Sequence, residues 1–309
     1  MRLRTAGLTF ILFFLLSPFA GFSFDSTRVA KKDSAIVSLA NETFLSGKLI
    51  LSESAALTPK NSIELFIGGR FGTITAGGGL HTLFGVDEIA DYRIGINYGL
   101  TNRLQVGLGR SKFSETLDGS VKFRFLEQKP ERRCPITAVM LLTAGLTTKP
   151  ETDLYPAGAI VEGGENFAHR ISYLSEIIIA RKFSAKVSAQ VLGGYHHRNL
   201  ITDVVNSDNL SKDSNGIPFM GLGLSLGVNN HIRLLADYFY IISRYRLNNL
   251  DFSSPLSVGV QVAKSGYSIT CSLSNTPLVA GINFIPQTNG DWKKGKINFG
   301  ITLVKTLGI

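Results

Sequence analysis

The chain has 309 residues, 44 % of them apolar and only 18 % charged, with 32 Lys and Arg against 23 Asp and Glu. That balance excludes a disordered chain or a coiled coil, and the basic excess, with no cationic run interleaved with aromatics, does not point to nucleic acid. The two cysteines, Cys134 and Cys271, stand far apart with no ligand spacing around them, which excludes a disulfide scaffold and a structural zinc site.

In chain order, the first element is an export leader. Arg2 and Arg4 precede an apolar run at 8–19 that ends in small residues. The run is too short to cross a hydrocarbon core of roughly 30 Å, so residues 1–23 read as a cleaved signal peptide. No later stretch has 18 uninterrupted apolar residues, which excludes a polytopic helical membrane protein. Residues 24–62 form an N-terminal extension, polar around Lys31, Lys32 and Asp33 and mixed from Asn41 to Leu57. It is expected either in the periplasm or in the barrel mouth described next.

From residue 63 the polarity alternates with period two, the signature of strands. Twelve segments are expected: 63–72, 91–99, 104–112, 117–126, 135–147, 168–181, 186–198, 218–228, 231–242, 255–263, 267–275 and 295–305. Most are long enough for a tilted bilayer crossing and longer than strands of soluble proteins. The connections alternate between long ones, such as 73–90, 148–167, 199–217 and 276–294, and short ones, such as 182–185 and 229–230; 113–116 is the exception. A transmembrane up-and-down antiparallel β-barrel has this asymmetry, with short periplasmic turns and long extracellular loops. The expectation is one all-β domain, 63–309, in a bacterial outer membrane.

Alternation also assigns faces. Tyr92, Ile94, Ile96 and Tyr98 form an uncharged face expected against lipid, with the two tyrosines about 20 Å apart near the interfaces. The opposite faces carry Arg70, Arg93, Lys122, Arg124, Arg170 and Arg233 with Glu64, Asp118, Glu176 and Asp237, expected to line a polar, partly obstructed and somewhat basic lumen. In the up-and-down order Arg70, Arg93 and Arg170 fall toward the outer mouth. Ile177 to Ile179, apolar on both faces, breaks the pattern.

The chain resembles a bacterial barrel family catalogued as domain of unknown function 5777. The resemblance rests on Arg70-Phe71-Gly72, the run from Arg93 to Leu104, Val106 to Arg110, Asp118-Gly119, Lys122-Phe123-Arg124, Leu273 to Thr276, Gly290-Asp291-Trp292 and Phe299-Gly300. It implies an outer-membrane β-barrel of Gram-negative bacteria and no activity. This chain has Gly69 where the family looks to carry a His. It ends in Leu307-Gly308-Ile309 where barrels usually present a terminal aromatic to the assembly machinery.

Catalytic patterns are weak. Gly223-Leu224-Ser225-Leu226-Gly227 matches a nucleophile elbow in letters, but the stretch reads as a continuous strand rather than strand, turn and helix. His196 and His197 are adjacent and so point to opposite faces of a strand. Asp87, Glu88 and Asp91, and Asp203, Asp208 and Asp213, are acidic loop groups without EF-hand spacing. Trp292 is expected to anchor or pack against neighbouring loops. No catalytic residue, metal or cofactor is assigned. The expected role is a narrow channel, solute-binding or structural barrel. Its partners would be outer-membrane lipid, the barrel-assembly machinery and a small anionic solute. The alternative is an outer-membrane enzyme acting on lipid or lipopolysaccharide.

Overall fold

The computed structural model describes residues 43–309 apart from 76–78, 130–133, 156–165, 202–212, 248, 250 and 265. The expected signal peptide, the extension as far as residue 42, Asp203 and Asp208 lie outside the described residues.

Twelve strands follow one another: β1 (Ser62–Thr73), β2 (Ile89–Gly99), β3 (Leu104–Ser111), β4 (Thr116–Leu126), β5 (Thr137–Thr147), β6 (Ile171–Lys182), β7 (Val187–Arg198), β8 (Gly216–Gly227), β9 (Ile232–Ile241), β10 (Leu256–Lys264), β11 (Tyr267–Ser274) and β12 (Asn298–Gly308). Each pairs antiparallel with its sequence neighbours, and β1 closes the sheet by pairing with β12, Ser62 opposite Gly308 and Arg70 opposite Gly300. Closure leaves no strand edge unpaired, which a membrane interior demands. All twelve expected segments are strands, their ends within three residues of expectation.

The larger shifts have local causes. Residues Phe167–Arg170 form a 3-10 turn, because the Asn166 side chain accepts from the Ala168 N–H and holds the chain out of the sheet. Arg170 is therefore on a turn above β6 rather than inside a strand. The start of β12 is delayed by a turn in which Asp291 accepts from Lys293 and Lys296.

Side-chain capture also shapes the short connections. Asn229 accepts from the N–H groups of His231 and Ile232 between β8 and β9, and Ser184 does the same for Lys186 and Val187 between β6 and β7. Two short helices occur at the opposite, long-loop end: α1 (Glu151–Leu154) and α2 (Gly281–Gln287).

The outward faces are apolar, with Ile94, Leu108, Val191, Leu222 and Val260 all exposed on the bare barrel. The inward faces divide into two flanks. On β1–β4 and β10–β12 they are mostly polar, including Glu64, Asp118, Lys122, Ser257, Gln261, Thr270 and Thr302. On β5–β9 they include Val139, Leu174, Ile178, Leu192, Ile217, Phe219, Leu235 and Phe239, all buried in one apolar cluster. The polar, partly obstructed lumen expected from alternation thus has an apolar flank as well. Part of its wall is apolar, because protein segments pack against it from inside the lumen.

Candidate functional site: an occupied lumen

Residues 43–61, ahead of β1, turn into the barrel. Lys48 and Glu53 face one another across an antiparallel bridge, Leu49 donates to the Ser52 carbonyl at 3.0 Å, and Ser54 donates to that of Gly47 at 2.9 Å. The result is a small hairpin with its tip at Leu49–Ser52. Its apolar side, Phe44, Leu49, Ile50, Leu51, Ala55, Ala56 and Leu57, packs against the apolar flank of the wall. Burying an apolar hairpin against an apolar wall is the same driving force that builds a soluble core.

The tip is held by one carboxylate. Asp237 on β9 accepts from the N–H groups of Ile50, Leu51 and Ser52 at 2.9, 2.8 and 3.2 Å, and from the Ser52 hydroxyl at 2.8 Å. Successive amides curled around a carboxylate make a favourable concavity, so the hairpin offsets part of the cost of burying it. The wall opens beside it. A methyl placed on Gly223 would lie 3.1 Å from Leu49, and one on Gly259 would lie 3.2 Å from Ile50. These inward glycines on β8 and β10 make room for the tip.

Other inward side chains grip the hairpin's backbone. Lys122 on β4 donates to the carbonyls of Gly47 and Ser54, both at 3.2 Å, and meets Glu53 at the same distance. Arg124 reaches the Ala55 carbonyl, Gln190 on β7 the Glu53 carbonyl, and Gln261 on β10 the Ser46 hydroxyl. Gln105 at the start of β3 accepts from Thr58, where the chain leaves the hairpin for β1.

The long-loop half is filled from the other end. The segment between β11 and β12 folds inward and delivers α2 into the barrel. Asp91 accepts from the N–H of Val279 at 3.0 Å, Thr116 donates to Asn283, and Phe284 meets Phe239 edge-on with ring centres 5.0 Å apart. Hairpin and inward loop meet where Lys48 donates to the Val279 carbonyl. Between them a cavity of about 60 Å³ remains, lined by Lys48, Glu53, Glu64, Arg93, Lys122 and Glu176 among others. That is space for a few waters.

The charges assigned from alternation can now be placed. Arg93 is paired with Asp118 beneath the inward loop, Glu64 accepts from Asn97 at 3.0 Å, and Glu176 faces the small cavity. Arg70 donates to Ser272 at 2.7 Å. Arg233 lies at the short-turn end and donates to the Ala185 carbonyl. Arg70 is near the long-loop end of β1, opposite Asp91 and Gly300, and Arg93 lines the small cavity together with Ala280 and Gly281 of the inward segment. Arg170 is at the long-loop end, on the carbonyls of Thr147 and Lys149. Tyr92, Ile94 and Ile96 point out of the barrel and are exposed, with Tyr98 half-buried on the same face.

Ser225 and His196 do not meet. Ser225 pairs with Ser188 near the short-turn end of β7, whereas His196 is eight residues further along that strand, roughly 26 Å away at about 3.3 Å per residue. Trp292 packs among loops and donates to the Leu256 carbonyl.

The sequence reading placed Asp237 in the lumen and left residues 24–62 open between the periplasm and the barrel mouth; what it did not find is the hairpin that Asp237 holds, and the inward loop. The signal was present in the apolar run Leu49-Ile50-Leu51 and in the two-sided apolar strands, of which Ile178 is the clearest. An inward apolar residue on a barrel strand needs an apolar partner inside.

A closed, apolar-jacketed antiparallel barrel of this kind is a transmembrane β-barrel, and its even strand number is that of bacterial outer-membrane barrels. The chain belongs to the family described as the membrane bound beta barrel domain, DUF5777, whose profile matches residues 44–307. That match takes in the luminal hairpin as well as the strands. No curated protein matches the chain. Among solved structures it is similar to the NanC porin, at 7 % identity and TM-score 0.46, over 80 % of this chain and 99 % of that one. The KdgM porin is similar at 6 % identity and TM-score 0.42, over 79 % and 98 %. Omp33 of Acinetobacter baumannii follows at 8 % and 0.37, over 81 % and 99 %. At these identities the likeness is one of fold alone.

Proposed function

We propose that the protein is a narrow, gated channel of the outer membrane in which the hairpin at residues 46–57 is the gate. The observation that carries this reading is the manner of attachment. The hairpin enters and leaves at the short-turn end, is continuous with β1 through Pro59 and Lys60, and is held in the lumen by side chains that need not move for the barrel to stay closed as a sheet. A core that served only stability would not need a carboxylate, two cations and three amides directed at one removable segment.

Conductance would be small in the resting state, with weak anion preference set by Lys149, Arg170 and Arg198 at the long-loop end. The short turns would face the periplasm. Outer-membrane lipid would surround the apolar jacket, and the assembly machinery would be a transient partner. The enzymatic alternative gains no support from Ser225 and His196, which are at opposite ends of the wall.

Tethering tests the gate. With Cys134 and Cys271 replaced, Leu49→Cys and Gly223→Cys would join hairpin to wall, since the two positions are in contact. Liposomes containing the oxidised protein should exclude small sugars, and reduction should restore a slow permeation shared with the parent. Equal permeation in both redox states would sink the gating reading.

A further inference from the structure

Above α2, at the long-loop ends of β4 to β7, the barrel retains a second cavity of about 220 Å³. It is separate from the hairpin and plays no part in holding it. We infer that this vestibule is a binding site for a small free oxyanion, a carboxylate or phosphate carried on a soluble molecule.

Its wall is cationic. Among the described residues, Lys149, Arg170 and Arg198 line it against the one carboxylate of Asp153. Arg198 is directed by Asp213, but Asp213 is shared with Arg246, so one carboxylate serves two guanidinium groups. Arg170 rests on two backbone carbonyls and has no carboxylate partner among the described residues. Carbonyl contacts orient a guanidinium without cancelling its charge, which leaves that charge for a ligand.

The second observation is His196, a side chain 1 % exposed that forms part of the cavity wall beside Arg198 and rests against the Ile282 backbone. What the cavity presents to a ligand is therefore the Arg170 guanidinium and the Lys149 ammonium, with the His196 ring close enough to report on their occupancy. Asn283 and the hydroxyls of Thr116 and Ser172 add neutral polar groups to the wall. The source of the anion follows from position. The strands stand between the cavity and the lipid, so a soluble anion entering from the long-loop end reaches it and a lipid headgroup does not.

The inference is independent of gating, since binding here needs no movement of the hairpin. Protein labelled with 15N-histidine, in nanodiscs of neutral lipid, would be titrated with inorganic phosphate and separately with pyruvate. His196→Gln assigns the His196 ring signals. These signals should shift saturably with at least one of the two anions, while those of His231, at the short-turn end, stay still. Arg170→Gln should weaken the response about tenfold, the loss of one charge-assisted contact, and leaves the Arg198, Asp213 and Arg246 cluster intact. Lys149→Gln, on an exposed connection, provides the same reading should Arg170→Gln not fold. A non-saturating shift with both anions, an equal shift at His231, or an affinity unchanged by these substitutions would overturn the site.

Discussion

At the scale of single residues, Asp237 has the largest consequences. Three amides and a hydroxyl converge on its carboxylate inside the barrel. Asp237→Ala leaves those donors buried and unpaired, at a cost of about 3 kcal/mol to the seated hairpin. Amide exchange at Ile50, Leu51 and Ser52 should then accelerate roughly a hundredfold while the β-strand amides keep their protection. Protection unchanged at the tip would mean that packing alone seats it. On the outside, Ile96→Arg should cost about 2 to 4 kcal/mol in bilayers if it lies near the midplane and less near an interface. Stability equal to the parent would reverse the inside and outside of β2. Asp213 supplies a pH test. Burial opposes its charge, but the hydrogen bonds and charges of Arg246 and Arg198 win and hold its pKa below the usual carboxylate value. Its contribution is then complete above the unfolded pKa of about 3.9 and disappears as pH falls through the lower folded value. Thermal melts should show Asp213→Asn less stable than the parent from pH 7 to 5, with the gap closing at the acid end. A gap that persists undiminished there contradicts the ion cluster.

At the scale of elements, strands were legible in the sequence and the contents of the barrel were not. Period-two alternation marks each strand locally, since Tyr92, Ile94 and Ile96 need only the lipid outside to explain them. The hairpin and α2 depend on partners distant in sequence: Ile50 on Asp237, Val279 on Asp91, Phe284 on Phe239. No local period encodes such pairings. Of the candidate site, alternation reads Asp237 and Lys122 only as wall charges, because the chain that they grip is distant in sequence and no local period marks it as their partner. The misplacement of Arg170 had a smaller cause, the Asn166 turn that ends the 3-10 segment outside the sheet. Orientation in the membrane belongs to this scale too. Epitope tags in the connections at 73–90 and 148–167 should be accessible on intact cells, and tags at 182–185 should not. The opposite labelling would place the long-loop end in the periplasm.

For the whole molecule, the barrel has two architectures nested in one chain. The outer one is a closed sheet with an apolar jacket; the inner one is a core formed by the hairpin, α2 and the apolar flank of β5–β9. Twelve strands enclose more space than side chains alone fill, and less than an open porin. The protein resolves that intermediate bore by inserting its own backbone from both ends. The most direct test is single-channel recording in planar bilayers of the parent and of a variant lacking both 46–57 and 280–287. The account predicts a parent that is nearly silent and a variant that conducts in discrete steps. A parent with a wide, steady conductance, or no change when both segments are removed, would contradict it.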